Sequence, residues 1–512
     1  MTKIKINPHV SKGTFVGLSK QNLLFHQALG ELIDNSFAAY DKPAQTCMVN
    51  IVIKQSSEKK NYDLFLSDNS SGMDIDELTG ALDLGRPPIS SSRLNEHGFG
   101  MKNAIATLTS GVNDWQIWTK KKNGPLLCVK GPFDSEMEIT DDYPLPDEYI
   151  EEGISTLTYV EVSPECIQTV QGRGSKATDL NTLKSWIIEH LGVMYRGLLE
   201  PTPERKYIPR LAIILKTIKD HDIREYNVYS AKLPMASKTT KRFQVTLDGK
   251  KVDCVYVYGT LDPEAAKEGI LINDNKEKFK YYYQGNQKTQ GIDISIDGRV
   301  IATKQFESIW KGSDGESLKR HNDYNSFIGE LMIPKIDRGI LSTVNNKTDF
   351  NINDPGWSEI FNEMSDFKPI KDIKSKSEEQ LKREWIKKLK ETNPEDVIDD
   401  EHYVWESGTR IDVFRRTPHD EIFIYELKVG KAAPIHLYQL KMYWDGLVLS
   451  GIQPTKGILM VEDYKTTIKT MANEMNQSLT PPIINIEGEN KQSAPYLFEV
   501  VTHKERGLYN KE

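Results

Sequence analysis

Leu29, Leu32, Ile33, Phe37 and Tyr40 recur at the spacing of one helix face, and this apolar stripe constrains the chain more than any other feature. It predicts a helix over residues 19–40, beginning near Ser19, with a buried side. Within the same pattern, in ELIDNSFAAY, Glu31 and Asn35 stand four residues apart on a neighbouring face. An acid and an amide one helical turn apart in an otherwise apolar helix call for a partner or a ligand.

Short β-rich runs surround that helix: VNIVIK, YDLFLS, DWQIWTK and STLTYVEV, with a second helical pattern at 101–110. Residues 1–180 therefore read as an α/β sandwich. Residues 181–367 open on the amphipathic LKSWIIEHLGVMY and continue through LAIILKTI, FQVTLDG, CVYVYGTL, IDISIDGRVIA and FIGELMIP, which predicts a second, α+β domain. From Phe367 to Ser377 the composition shifts to FKPIKDIKSKS, a linker into the helix SEEQLKREWIKKLKE. The strands RIDVF, EIFIYELKV and KGILMVE, with the helix IHLYQLKMYWDGL before the last, make 368–512 a third, α/β unit. A length of 512 residues suits about three such units.

The balance of 38% apolar and 27% charged residues fits a globular chain, and no apolar run approaches the roughly 18 residues of a membrane span. MTKIKINPHVSKG has no continuous apolar segment or small-residue cleavage site, so no export signal is read and a cytoplasmic location without membrane contact is expected. Cys47, Cys128, Cys166 and Cys254 lack the paired spacing of a zinc or redox site and read as reduced cysteines. A net charge of -8 argues against a chain coated with nucleic acid, although Lys368 to Lys390 carries nine basic residues against four acidic.

Two further stretches in the first unit carry chemistry. LFLSDNSSGMD is a strand running into Asp68 and a turn containing Gly72 and Met73. NEHGFGMKNAIATL is a Gly-rich loop, Gly98 and Gly100, that opens onto a helix bearing Lys102. Bare backbone N–H groups at a helix start favour an anion, and phosphate is the natural guest. A carboxylate base must reach its water and Mg2+ needs oxygen donors beside phosphates, which a helix supplies at Glu31 and Asn35. Each stretch alone is ordinary; their order on the right elements carries the argument. GRGSKA at Gly172 to Ala177 lacks a surrounding βαβ unit and reads as a loop, and there is no P-loop.

In this order and spacing the three stretches resemble the GHKL (Bergerat-fold) ATPases, within them the MutL and MORC branch. The resemblance implies ATP and Mg2+ as cofactors. Glu31 then activates the attacking water, Asn35 holds Mg2+, and Asp68 hydrogen-bonds the adenine amino group. Gly72, Gly98 and Gly100 allow close backbone approach beside Met73, Lys102 reaches the phosphates, and Thr156 matches the supporting threonine beside the base. Ser70 departs from the family, which usually has a glycine there, and tightens the space under the nucleotide. In the second unit GIDISIDGRVIATKQFESIW and LSTVNNKTDF are similar to the branch's ribosomal-S5-like transducer domain, whose lysine for the terminal phosphate corresponds to Lys347.

In EIFIYELKV, Ile422, Ile424, Glu426 and Lys428 share one face of a strand apolar on both faces, which predicts an interior position. The preceding strand brings Asp412 by a hairpin. Two carboxylates about 4 Å apart repel by roughly 4 kcal/mol at an effective dielectric near 20, and a divalent metal would offset that. Asp412 and Glu426 as metal ligands with Lys428 orienting water make a sensible hydrolytic set, against the plainer alternative of a salt bridge in a docking domain. The pattern resembles the PD-(D/E)xK nuclease superfamily, with a restriction-endonuclease-like α/β fold. The resemblance implies an acid on the first helix, for which Glu384 is chosen over Glu378 and Glu379, and supporting positions at Gln439 and Tyr443.

Together these features predict an ATP-dependent DNA endonuclease that dimerises through its GHKL domain. The pairing of a MORC-like ATPase with such a domain looks like bacterial defence against foreign DNA, with room for a further defence-system partner. The competing reading is an ATP-gated DNA clamp or scaffold with an inert third unit. A histidine kinase is the weakest option, because His26 lies on the nucleotide helix itself, as a packing or polar-face residue.

Overall fold

The apolar stripe does form a helix, but that helix, α2 (Phe25–Ala38), starts where Gln27 Oε1 accepts the Leu24 N–H at 2.8 Å. The expected start near Ser19 instead belongs to a separate short helix, α1 (Lys12–Ser19). The computed structural model describes residues 12–508 except 21–22, 43, 56–58, 85–97, 135, 142, 147–152, 173–178, 204, 206–207, 312–315, 338, 342, 344–349, 351–352, 372–376, 406–407 and 487–488. The chain divides into two units, residues 1–372 and 373–512.

Among the described residues, the first sheet of unit one has the strands β1 (Cys47–Gln55), β2 (Tyr62–Asp68), β3 (Trp115–Thr119), β4 (Leu127–Lys130), β5 (Ile139–Thr140), β6 (Thr156–Val162), β7 (Leu211–Lys219) and β8 (Asp222–Asn227). Their spatial order is β5-β4-β3-β6-β2-β1-β7-β8. The apolar side chains of α2 share a core with α4 (Gly100–Leu108) and α6 (Leu180–Met194). The helix α3 (Ile75–Leu82) begins at a reciprocal cap, with Asp74 accepting the Glu77 N–H and Glu77 accepting the Asp74 N–H. The short α5 (Pro164–Gln168) follows β6.

The boundary expected at residue 180 does not separate two layers. Leu211–Lys219 runs parallel to β1, with Leu211 beside Cys47 and Lys219 beside Gln55, and Leu183, Ile187 and Leu191 of α6 enter the first core. Alternating apolar residues mark a strand without saying which sheet it joins.

The second sheet starts at Met235, with β9 (Met235–Leu247) and β10 (Lys250–Leu261). Helix α7 (Pro263–Glu268) and a hairpin of β11 (Ile270–Ile272) and β12 (Asn275–Glu277) lead to β13 (Gly291–Ile296), β14 (Arg299–Gln305) and β15 (Phe327–Ile333). The order is β14-β13-β15-β10-β9, and α8 (Pro355–Met364) closes its core through Trp357, Ile360 and Met364.

In unit two, α9 (Glu378–Thr392) precedes β16 (Val397–Tyr403), β17 (Arg410–Arg416) and β18 (Ile422–Leu427). Then come α10 (Pro434–Leu449), β19 (Lys456–Val461), α11 (Thr466–Ser478), the hairpin β20 (Ile483–Ile486) and β21 (Glu489–Gln492), and β22 (Phe498–Thr502). The sheet order β16-β17-β18-β19-β22 puts β18 in the middle, as its two apolar faces require. Leu381, Trp385 and Leu389 of α9 cover one face, and Leu437, Leu440 and Trp444 of α10 with Ile468 of α11 cover the other. No described helix is long and apolar enough to cross a membrane.

A buried ion pair joins α2 to the second sheet. Asp34 is fully buried, and its Oδ1 accepts from Arg299 Nε at 3.1 Å and from the Tyr195 hydroxyl at 2.8 Å. Removing one partner of such a pair leaves an uncompensated buried charge. Arg299→Ala is expected to destabilise unit one by about 3 to 5 kcal/mol, read from the denaturant midpoint of its unfolding transition. An unchanged midpoint would show that the pair contributes nothing.

Candidate functional sites

Asn35, Asp68, Gly72, Met73, Gly98, Gly100, Lys102 and Thr156 all line one cavity of about 360 Å3 in unit one. The elements that gather them are α2, the end of β2, the turn after it, the start of α4 and the start of β6. Gly72 and Gly98 have φ of +68° and +67°, which an L side chain rarely adopts. A side chain at Gly72 would also overlap the Lys120 carbonyl, and one at Gly100 would overlap the Glu31 carboxylate. Glu31 is thus buried directly against the first residue of α4, at the cavity's edge.

Asp68 is a buried acceptor. Ser36 Oγ donates to its Oδ2 at 2.7 Å, while the N–H and Oγ of Ser70 donate to Oδ1 at 3.0 and 2.5 Å. Burial pushes its carboxyl above the usual range, and the Ser70 and Ser36 hydrogen bonds oppose that. Thr156 Oγ1 lies 3.1 Å from Thr119 Oγ1, which accepts the Met73 N–H at 2.9 Å. Ser36, Ser70 and Thr119 are site residues to which the sequence reading gave no role in binding the base. Ser36 follows Asn35 directly, and Thr119 ends a recognised strand, yet hydroxyls this common give no signal until the strands are paired.

Lys102 does not project freely into the cavity. Its buried ammonium donates to the carbonyls of Ala81 and Asp83 at 2.7 and 2.6 Å, so it ties α4 to the end of α3. Burial pushes its pKa down to about 8. Lys347 lies outside the described residues. His26 is buried and stacks on His190 with ring centroids 3.6 Å apart, as a packing residue does. All four cysteines are buried and free.

The cavity fits ATP. It offers a buried carboxylate acceptor, a helix start without a side-chain cap at Phe99, and an Asn35 amide whose Nδ2 is buried without a hydrogen-bond partner among the described residues, a donor suited to phosphate, while its Oδ1 is the donor type that Mg2+ takes. Residues 23–130 match the family model of histidine kinase-, DNA gyrase B-, and HSP90-like ATPases. They form a GHKL-type ATPase domain. The mixed sheets and helices of unit one agree with that fold. No curated protein matches the chain.

Unit two gathers a second set of charges at the end of β18. The hairpin register, with Val413 opposite Tyr425, brings Asp412 beside Glu426, and Asp412 Oδ2 accepts the Leu427 N–H at 2.9 Å. Lys428 Nζ lies 2.9 Å from Glu426 Oε1 and 3.2 Å from Glu378 Oε2. The acid that reaches this group from the first helix is therefore Glu378, not Glu384. Glu384 stands six residues further along α9, about 9 Å down its axis, whereas Glu378 opens the helix. Tyr443 of α10 turns its hydroxyl to Glu426, and Gln439 precedes it by one turn.

Burial raises Glu426 to about 7, the Asp412 charge adds to this, and Lys428 opposes it. Burial also raises Asp412, against the Leu427 N–H and Lys428. Burial alone would lower Lys428, but Glu426, Asp412 and Glu378 together outweigh it and hold the ammonium above its usual range. The repulsion expected between the two acids is thus relieved by the chain's own ammonium and by a proton. Among the described residues no group of three His, Cys, Asp or Glu side chains is arranged to hold a metal ion. Asp412 and Glu426 suit a divalent cation by donor type, and binding one would require Lys428 to yield its place beside Glu426.

Part of the basic segment is engaged within the unit. Lys382 is buried between Glu379 and Asp400, Arg383 pairs with Glu379, and Lys388 donates to the Arg506 carbonyl.

Because folding raises Glu426 from 4.5 to about 7, the folded state holds a proton that the unfolded state releases in that window. Stability present below the lower value is lost as pH rises through the upper one, by about 3 kcal/mol. The melting temperature of unit two is expected to fall over this range, and Glu426→Gln to flatten the dependence. A melting temperature that rises with pH there would contradict the assigned surroundings of Glu426.

Proposed function

We propose that this protein hydrolyses ATP in its first unit and uses that cycle to control metal-dependent cleavage of DNA phosphodiesters at the acidic cluster of its second. The observation that carries the nuclease half is the convergence of Asp412, Glu426, Lys428 and Glu378 on one strand end, with Glu426 poised near neutrality.

In the ATPase, Glu31 takes the proton of the attacking water, and Asn35 would hold Mg2+, whose charge would neutralise the phosphates when bound. Asp68 accepts from the adenine amino group, and the N–H groups at the start of α4 face the phosphates. Lys102 secures α3 against α4 across the cavity, and Lys347 belongs with the terminal phosphate. In the second unit Asp412 and Glu426 would hold the divalent ion once Lys428 withdraws from Glu426. Lys428 is the group that orients water or steadies developing charge, Tyr443 fixes Glu426, and Glu378 holds Lys428 from the other side.

On this reading the protein works in the cytoplasm as a homodimer joined through its ATPase domain. Residues 235–367, which hold the second sheet, act as the transducer, 368–512 as the PD-(D/E)xK-like domain, and foreign DNA is the target. A second reading, an ATP-gated DNA clamp or scaffold of MORC or MutL type, is favoured by one observation. Lys428 already neutralises the acids, without a metal-ready trio among the described residues.

Glu31→Ala is expected to abolish ATP hydrolysis while nucleotide still binds; normal turnover by that variant would remove the assigned base. Plasmid incubated with Mg2+ is expected to be nicked in an ATP-dependent way. Asp412→Ala and Lys428→Ala should stop nicking with ATPase activity intact. Cutting by those variants excludes this nuclease site, and metal-independent DNA binding without nicks by the unaltered protein selects the clamp.

A further inference from the structure

The acidic cluster of unit two has a further polar neighbour. His436 lies in the first turn of α10, and its ring is half-buried. It stands seven residues before Tyr443, which turns its hydroxyl to Glu426. Seven residues make nearly two helical turns, so both side chains leave α10 on one face, about 10 Å apart along its axis. The chain leaves β18 at Leu427, turns at Gly430 with a φ of +83° and enters α10 at Pro434. That short connection sets the helix start beside the strand end that bears Lys428. The charges acting on the His436 ring are accordingly those of Lys428 and Glu378.

One ring nitrogen is committed within the chain. His436 Nδ1 accepts the Ala433 N–H at 3.2 Å, the contact that a Glu or Gln makes at this position of a capping box. A neutral imidazole has a single N–H, so an accepting Nδ1 leaves the proton on Nε2. A second proton would have to sit on Nδ1, against the Ala433 N–H. Burial and the Lys428 charge oppose it as well, with Glu378 in favour. The ring is thus held neutral with Nε2–H as its donor. Nε2 has no hydrogen-bond partner among the described residues.

The rest of the cluster offers little to the oxygens of a phosphodiester. Asp412 and Glu426 are acids, and the Lys428 ammonium is engaged by Glu426 and Glu378. A neutral donor next to them can meet an incoming phosphate oxygen without breaking either ion pair. Resting on the reading of this cluster as a phosphodiester-cleaving centre, we infer that His436 is a further catalytic residue, whose Nε2–H donates to a non-bridging oxygen of the DNA phosphate. The cap at Ala433 fixes the tautomer, and the shared helix face puts the phosphate contact and the Glu426 contact on one side of α10.

A purely structural His436 would only cap α10, and substitution separates the two roles. His436→Gln keeps an acceptor for the Ala433 N–H and a donor. His436→Leu keeps neither, and Ala433→Ser added to it restores a cap through the serine hydroxyl. The full chain in each form is tested for plasmid nicking with Mg2+ and ATP, for affinity toward a short DNA duplex in EDTA, and for the melting temperature of unit two. For His436→Leu, nicking and affinity are each expected to fall by about ten- to a hundredfold, with a lowered melting temperature. The double variant should regain the melting temperature without regaining nicking or affinity, whereas His436→Gln should regain part of both. Affinity that stays at the unaltered value in His436→Leu, or nicking that returns in the double variant, overturns the role of His436 while the acidic cluster stands. An unaltered protein that leaves the plasmid intact overturns the cleavage reading and the inference together.

Discussion

The ion pair between Asp34 and Arg299 sets the rotation of the helix on which the first unit depends. Three kinds of residue share α2: Leu29 and Ile33 in the core, Asp34 against Arg299 and Tyr195, and Asn35 in the cavity lining with Glu31 against Gly100 beside it. Because successive positions differ by about 100° around a helix, fixing one buried charge fixes the others. Arg299 opens β14, so the second sheet takes part in aiming the nucleotide helix. The packed core of unit one thus ties the helix bearing Glu31 and Asn35 to the second sheet.

Two buried acids illustrate opposite answers to the same cost. Asp68 is surrounded by hydroxyl and amide donors, which suit a carboxylate that accepts hydrogen bonds. Glu426 is placed beside another acid and an ammonium, and sits near neutrality, which suits a group that exchanges a proton or a cation. One environment favours a fixed acceptor and the other a change of state. The ATPase and the proposed cleavage centre differ in the same sense.

Much of the site in unit one was legible because its parts are local. Glu31 and Asn35 declare themselves by helical spacing, Asp68 by ending a strand, and Gly98 and Gly100 by preceding a helix. The cavity brings all but Glu31 into its lining, and Glu31 abuts Gly100. Less legible was anything that depended on distant pairing. LAIILKTI was recognised as a strand but assigned past the wrong boundary, since partnership with Cys47–Gln55 leaves no local trace. The sequence places Lys102 on the phosphates for the same reason: the carbonyls that hold it lie at the end of another helix and leave no local trace. In unit two, Glu384 was preferred to Glu378 although helical spacing permits either. The edge strand Val397–Tyr403, rich in acids, carried too little apolar alternation to be noticed.

By itself the sequence determined the element types, the order of the nucleotide-binding stretches and the central position of the strand bearing Glu426. These follow from side-chain periodicity and from backbone freedom at glycine, which act over a few residues. Only the tertiary structure decided which sheet takes β7, which acid meets Lys428 and which hydroxyls surround Asp68. Those outcomes depend on contacts between residues far apart in the chain, where geometry after folding selects among side chains that look equivalent beforehand.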